Sequence, residues 1–205
     1  MDTTHRTAWV DLCWRLIPLE TPCIVRRCAH CNAPRRFAST GKFRLNAQQR
    51  RLDVWLLYRC VACEATWKHP VFERCAPEDI GDDLYARLLR NDPETARTYA
   101  FDVAALRNGG GQVDEGVPFR VEASPLASAC AAGGWRITLD LSLPCSVRLD
   151  RLLVHMLGVS RTQVRRWATD GKLIVPPEDR RALSRSVRHG QILLIHSDGL
   201  AKSVS

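Results

Sequence analysis

The sequence has no run of apolar residues that approaches the roughly 20 needed to span a bilayer as a helix. Its first residues also lack the order of a secretory signal peptide, a basic segment followed by an apolar one. These absences argue against a helical membrane protein and against secretion. We therefore expect a cytoplasmic protein with no membrane partner.

Patterns typical of enzymes are also missing. The sequence shows no arrangement of Ser, His and Asp for nucleophilic catalysis, no phosphate-binding loop and no metal-ligand set with an open position. We therefore expect no catalysis and no small-molecule substrate. An enzyme, or enzyme subunit, with its site in the middle region remains an alternative, because Asp82, Asp83 and Asp102 stand there on predicted helices.

Acidic residues are fewer than basic ones, 22 against 30, and they are unevenly distributed. The formal net charge is +7 over residues 1–75, −5 over residues 76–127 and +6 over residues 128–205. A basic chain with an acidic centre favours two ends that face a polyanion. Nucleic acid is the polyanion that the motifs below favour.

The same three segments differ in their predicted secondary structure. Residues 1–75 contain β-rich runs, two of which predict a hairpin turning near Asn46–Gln49. Residues 76–127 predict a helical hairpin, in which Asp92 caps a helix that starts at Pro93 and ends before the glycines that follow Asn108. Its carboxylates are interpreted as a solvated face.

Residues 128–205 begin with a strand in which apolar and polar residues alternate, Trp135–Leu141. A compact basic module follows from Ser146 to about Ser197. The predicted fold class is therefore α+β, with an N-terminal β-domain, an acidic helical spacer and a C-terminal module.

The nine cysteines include two CxxC pairs, and disulfide bonds are not expected in a cytoplasmic protein. Each CxxC turn places two thiolates on one side of a tight loop, and two turns together form a tetrahedral set suited to zinc. The predicted hairpin accounts for the long spacing between the pairs, because it returns the chain to its start. The predicted zinc ligands are Cys28, Cys31, Cys60 and Cys63.

This arrangement resembles a zinc ribbon. Trp67 stands where such a domain has an aromatic residue after its second knuckle, and Asn32 stands where a glycine is common. Asparagine tolerates the left-handed conformation that a knuckle needs. A closed site of four sulfur atoms leaves no position for water, so the zinc is expected to be structural.

The stretch GVSRTQVRRW, residues 158–167, predicts a short helix with two different faces. Ser160 is its expected cap, with Gln163 three residues later. Val164 and Trp167 form an inward face. Arg161 and Arg165 lie four residues apart on the exposed face, and Arg166 joins them at its edge.

Together with Arg148-Leu149-Asp150 before it and the run Ser184–Ile195 after it, this stretch resembles the αL RNA-binding motif, also called the S-four-type domain. The resemblance covers about residues 147–196. It implies binding of structured RNA, of the ribosomal or transfer class. The RNA-facing residues that it implies are Arg148, Ser160, Arg161, Arg165 and Lys172.

A second resemblance leads to a different function. The segment LGVSRTQVRRWATDGKL is similar to DNA-binding proteins of the excisionase and mercury-resistance-regulator type. A transcriptional regulator that uses residues 149–168 as a helix-turn-helix is therefore the alternative.

The whole chain resembles an uncharacterised bacterial family, a domain of unknown function. The resemblance rests on four blocks, Arg26–Cys31, Gly41–Asn46, Arg51–Leu56 and Tyr58–Trp67. It implies an architecture and supplies no activity.

Overall fold

The computed structural model describes residues 9–124, 133–144, 146–177 and 181–197. The chain divides into two compact units. The central unit is Glu20–Val117, and the split unit combines Met1–Leu19 with Pro118–Ser205. Their boundaries differ from the three consecutive segments expected from composition, because the units follow contacts in space.

Ten strands lie in the described residues. They are β1 (Trp9–Pro18), β2 (Cys23–Cys28), β3 (Ala33–Gln48), β4 (Arg51–Cys60), β5 (Thr66–Cys75), β6 (Gln112–Asp114), β7 (Phe119–Ser124), β8 (Gly134–Leu141), β9 (Leu173–Ile174) and β10 (Ile192–His196).

The described residues also form six α-helices and one short 3-10 helix at Ala182–Ser184. The α-helices are α1 (Pro77–Ile80), α2 (Asp82–Leu89), α3 (Pro93–Ala100), α4 (Val103–Asn108), α5 (Leu149–Leu157) and α6 (Arg161–Thr169). Two sheets with these helices confirm the α+β class. No helix among the described residues is both long and apolar enough to cross a membrane.

The central unit is a five-stranded antiparallel sheet in the order β5-β4-β3-β2-β6, with helices on one face. Alternate residues of β4, from Leu52 to Cys60, are buried against α1 to α4. The β3–β4 hairpin forms as predicted, but its turn lies slightly later. Gln48 pairs with Arg51, and Gln49 and Arg50 between them both have positive φ, as a tight two-residue hairpin turn requires.

Four short helices occupy the region predicted to hold a two-helix hairpin. Gly81, with a φ of +75°, separates α1 from α2. The carboxylate of Asp102 accepts a hydrogen bond from the Ala105 N–H at 2.9 Å and starts α4, so the second predicted helix is divided. The cap at Asp92 is confirmed, because its side chain accepts from the Thr95 N–H at 3.0 Å. These helices pack on the central sheet and do not form a separate spacer.

The split unit is a mixed sheet in the order β7-β1-β8-β10-β9. β1, expected in the N-terminal β-domain, instead runs parallel to β8 and antiparallel to β7. Pro18 pairs with Phe119, and the Leu19 N–H donates to the Pro118 carbonyl at 2.8 Å. The two positions where the chain leaves and re-enters this unit are therefore hydrogen-bonded to each other.

The helices α5 and α6 contribute to one core with this sheet. Ile137 and Leu139 of β8 are fully buried, which confirms the alternation predicted for that strand. Leu149 and Leu152 of α5 are buried in the same core, as are Val164 and Trp167 of α6. The split unit therefore holds α6 by its apolar face.

We expect Trp167→Ala to lower the free energy of unfolding by about 3–5 kcal/mol, because the ring is only 4% exposed and its loss leaves a cavity. Chemical denaturation measures the change. Thr162→Ala, an exposed position on the same helix, is the control and should change stability little. A small effect of Trp167→Ala would contradict the anchoring role of the ring.

Candidate functional site

Both CxxC turns lie at the same end of the central sheet. Cys28 ends β2 and Cys60 ends β4, and β3 pairs with both strands. Cys28 pairs with Ala33 at the start of β3, and Cys60 pairs with Phe37 four residues later. The ladders of β3 thus bring together two turns that lie far apart in sequence.

The four thiols form a compact cluster. The Sγ atoms of Cys28 and Cys63 are 3.5 Å apart, and those of Cys31 and Cys60 are 4.0 Å apart. All four Sγ atoms lie within 4.8 Å of one another. Four sulfur ligands around a tetrahedral ion with bonds of about 2.3 Å are about 3.8 Å apart. The predicted ligands are therefore brought together at a spacing that could hold one metal ion.

The two turns have a similar backbone. The residue after each second cysteine has positive φ, +51° at Asn32 and +61° at Glu64. The left-handed conformation expected at Asn32 is confirmed. Glutamate rarely adopts this conformation, so the residue type of Glu64 does not predict it. Its place directly after Cys63, which corresponds to the place of Asn32 after Cys31, does. In the first turn the Cys31 N–H points at the Cys28 sulfur, 3.5 Å away, as a donor to a thiolate would.

Local hydrogen bonds favour ionisation within the cluster. Burial opposes ionisation of Cys60, but hydrogen bonds from the backbone of Ala62 and Cys63, and then from neighbouring thiols, lower its pKa to about 7. The backbone of Ala65 favours the Cys63 thiolate, yet burial and the three neighbouring sulfur atoms outweigh it and raise the pKa of Cys63. Four adjacent thiols cannot all ionise without a cation, because like charges repel.

Aromatic rings support this end of the sheet. Trp67 contacts Phe37 and Tyr58, with ring centroids 6.5 and 5.3 Å away. The guanidinium of Arg26 lies 4.2 Å from the centre of the Trp67 ring. His69 is buried against Tyr58 and Trp67, and burial lowers its pKa, so it packs as a neutral ring outside the sulfur cluster.

Three other cysteines are described and form no disulfide bond. Cys13 lies in β1, Cys23 begins β2, and the Cys75 thiol contacts the Leu52 carbonyl at 3.3 Å. Cys130 and Cys145 lie outside the described residues.

The basic face predicted for residues 158–167 is present on α6. Arg161, Arg165 and Arg166 are exposed, whereas Val164 and Trp167 are buried. The Ser160 hydroxyl accepts from the Gln163 N–H at 3.1 Å, which confirms the cap and engages the hydroxyl. Arg166 forms an ion pair with Asp170 at 3.5 Å, so Arg161 and Arg165 are the more available pair.

The other two predicted residues lie at the ends of neighbouring elements. Lys172 is partly buried between α6 and β9, and its carbonyl accepts from the His196 N–H at 2.9 Å. Arg148 precedes α5, and its Nε and Nη2 atoms donate to the two carboxylate oxygens of Asp150 at 3.2 and 2.9 Å. Asp150 is only 1% exposed.

The sequence alone does not indicate that Arg148 pairs with Asp150. A carboxylate two residues after an arginine usually lies on a solvated helix end, and only the packing of α5 shows that this one is buried. The pair fixes the Arg148 guanidinium, whose outer part remains exposed. Removing Arg148 would leave a buried charge unpaired, so this residue is a poor choice for a test of binding alone.

The carboxylates of the middle region have structural contacts. Asp92 and Asp102 cap helices, and Asp83 forms an ion pair with Arg87 at 2.8 Å. Asp82 is exposed at the start of α2, next to the positive end of the helix dipole.

The chain matches a known protein family. A family model described as "Protein of unknown function (DUF1062)" matches residues 45–179. The matched range contains the second CxxC pair together with α5 and α6, and it begins after the first pair. No curated protein and no solved structure matches the chain.

We expect Cys60→Ser to remove most of the bound metal and to destabilise the central unit, because it removes one of four ligands and metal binding is coupled to local folding. Metal content per chain by elemental analysis, and proteolysis of the central unit, measure the two effects. Cys75→Ser is the matched control and should keep the metal, since this thiol lies outside the cluster. If Cys60→Ser retains as much metal per chain as Cys75→Ser, the four-cysteine cluster is not the binding site.

Proposed function

The chain belongs to the DUF1062 family, and we propose that it is a non-catalytic, zinc-containing protein that binds structured RNA through the exposed face of α6. The observation that carries the proposal is the division of α6 into two faces. Val164 and Trp167 fix the helix in the core, and Arg161 and Arg165 project from the opposite side. RNA of the ribosomal or transfer class is the proposed partner.

We propose zinc as the metal. Four sulfur ligands without a carboxylate or water favour zinc among the divalent ions, and a closed set of this kind has a structural role. The two CxxC turns, the paired strands and Trp67 support assignment of residues 23–75 as a zinc ribbon. Purified, reduced protein should contain about one zinc per chain by elemental analysis, and a different metal or none would contradict the assignment.

Several features support an αL-type module in the split unit. Arg148 precedes α5, Gly158 ends that helix in the left-handed conformation with a φ of +66°, and Ser160 caps α6. The strands β9 and β10 then pair and join the sheet. This order of two helices followed by paired strands is the one that the resemblance implies.

Phosphate contacts are expected to dominate the binding. Arginine forms bidentate hydrogen bonds to phosphate, and each contact releases condensed counterions. An RNA helix is recognised by its shape and backbone, because its deep major groove is closed to side chains. A helix held in the core by Val164 and Trp167, with two exposed arginines one turn apart, suits such a backbone.

The DNA-binding alternative rests on the same two helices. α5, the turn at Gly158 and α6 could also serve as a helix-turn-helix, with α6 as the recognition helix. An enzyme with its site in the middle region is the second alternative, and of its three residues Asp83 pairs with Arg87, Asp102 caps α4 and Asp82 is exposed. A preference for one duplex DNA sequence would favour the DNA-binding alternative. Catalytic turnover of a substrate in the absence of nucleic acid would favour the enzyme.

We expect the double variant Arg161→Ala and Arg165→Ala to bind a folded RNA hairpin more weakly and with a salt dependence reduced by roughly two phosphate contacts. The fold should survive, because both side chains are exposed and alanine favours helix. Fluorescence anisotropy over a series of salt concentrations measures both quantities.

The control for this experiment removes the same charge elsewhere in the split unit, with Arg120→Ala and Arg136→Ala. Both arginines form surface ion pairs, and their loss should leave the salt dependence unchanged. The proposal fails if the α6 double variant binds the hairpin as tightly as the parent, or if the parent prefers duplex DNA of equal charge.

A further inference from the structure

The central sheet has a second face, which its own helices do not cover. All four helices of the central unit pack against the face that carries Leu52, Val54, Leu56 and Tyr58. Because side chains of a strand alternate between faces, Trp55, Leu57 and Arg59 of β4 lie on the opposite side.

Strand register extends this row across the neighbouring strands. Arg44 of β3 and Pro70 of β5 lie directly opposite Trp55 on either side, and Lys68 lies opposite Leu57. The Lys68 Nζ atom is 5.4 Å from the centre of the Trp55 ring. We name this surface, formed by Trp55 and Leu57 with Arg44, Arg59 and Lys68 around them, the outer sheet face.

The outer sheet face combines available positive charge with a partly exposed ring. Arg44, Arg59 and Lys68 are all exposed, and none of the three forms an ion pair with a described residue. Trp55 and Leu57 are partly exposed between them. Asp53, two residues before Trp55 on β4, pairs with Asn46, and its carboxylate already accepts from the Arg74 N–H at 2.8 Å.

This combination meets the requirements for a single strand of nucleic acid. Every base has a flat face that can stack on an indole ring, and the adjacent phosphates need cations placed beside that ring. A duplex keeps its bases stacked inside, so it would use the cations and not the tryptophan. A surface that only kept the protein in solution would not need a large aromatic ring at its centre.

We propose that the outer sheet face binds a single-stranded stretch of nucleic acid, with a base on Trp55 and phosphates on Arg44, Arg59 and Lys68. This site lies in the central unit, and the α6 face lies in the split unit. The two proposals are therefore independent, and either can fail without the other.

The test uses the full chain and three labelled probes, an oligouridine and an oligothymidine of about 12 nucleotides and a DNA duplex of about 12 base pairs. Both single strands should bind more tightly than the duplex, and their comparison shows whether RNA or DNA is preferred. Trp55→Leu should weaken single-strand binding roughly tenfold, because it keeps apolar bulk and removes the stacking ring. Trp55→Phe retains a ring and should recover most of the affinity.

The charge test uses Arg44→Gln with Lys68→Gln. This double variant should reduce the slope of log affinity against log salt by about 1.4, as expected for two phosphate contacts on a single strand. Arg90→Gln with Arg107→Gln is the matched control in the same unit, since both arginines are exposed and lie on the helical side. The control should bind as the parent does.

Three outcomes would overturn the proposal. The parent could bind neither single strand, it could bind the duplex equally well, or Trp55→Leu could bind as tightly as the parent while thermal unfolding shows it folded. If Trp55→Leu is unfolded, Trp55→Phe and the charge variant decide the matter, and unchanged affinity in both would overturn the proposal. The Arg161→Ala and Arg165→Ala variant should keep single-strand binding, which separates this site from the α6 face.

Discussion

Pairing of the long strand β3 with both β2 and β4 is the constraint on which the central unit depends. Its first residues hold the two cysteine turns side by side, and its later residues place Arg44 against Trp55. The sulfur cluster and the outer sheet face are therefore positioned by the same backbone ladder. The irregularity between Ser39 and Phe43, where the register shifts, separates these two stretches of the strand.

The helix that carries Arg161 and Arg165 is positioned by a different kind of contact. The apolar residues Val164 and Trp167 pack α6 against the core, and the Ser160 hydroxyl caps its first turn. The Arg148 guanidinium is instead held by the buried Asp150 carboxylate. A guanidinium held in this way loses less conformational entropy when it binds a phosphate.

Local features of this chain could be predicted because they depend on neighbours in sequence. The caps at Asp92 and Ser160, the left-handed Asn32 and the two faces of α6 each follow from a few adjacent residues. Clustering of the four cysteines could be predicted because the sequence between the two CxxC pairs indicates a hairpin. The structure brings their Sγ atoms together.

Features that depend on distant residues were not predictable in this way. β1 carries the alternation of a half-buried strand, but nothing in its residues specifies β8 and β7 as its neighbours. The burial of Asp150 depends on how α5 packs. Trp55 was visible only as one apolar residue in a β-rich run, and the register of three strands was needed to surround it with Arg44 and Lys68.

The hydrogen bond between Leu19 and Pro118 has a consequence for cooperativity. It extends the ladder between β1 and β7 to the point where the central unit is inserted into the split unit. With the central unit unfolded, residues 20–117 become a long loop between two paired strands, and the entropy of closing such a loop rises only with the logarithm of its length. Pairing of β1 with β7 can therefore persist at this point after the inserted residues have unfolded, because lengthening the loop adds little to the cost of closing it.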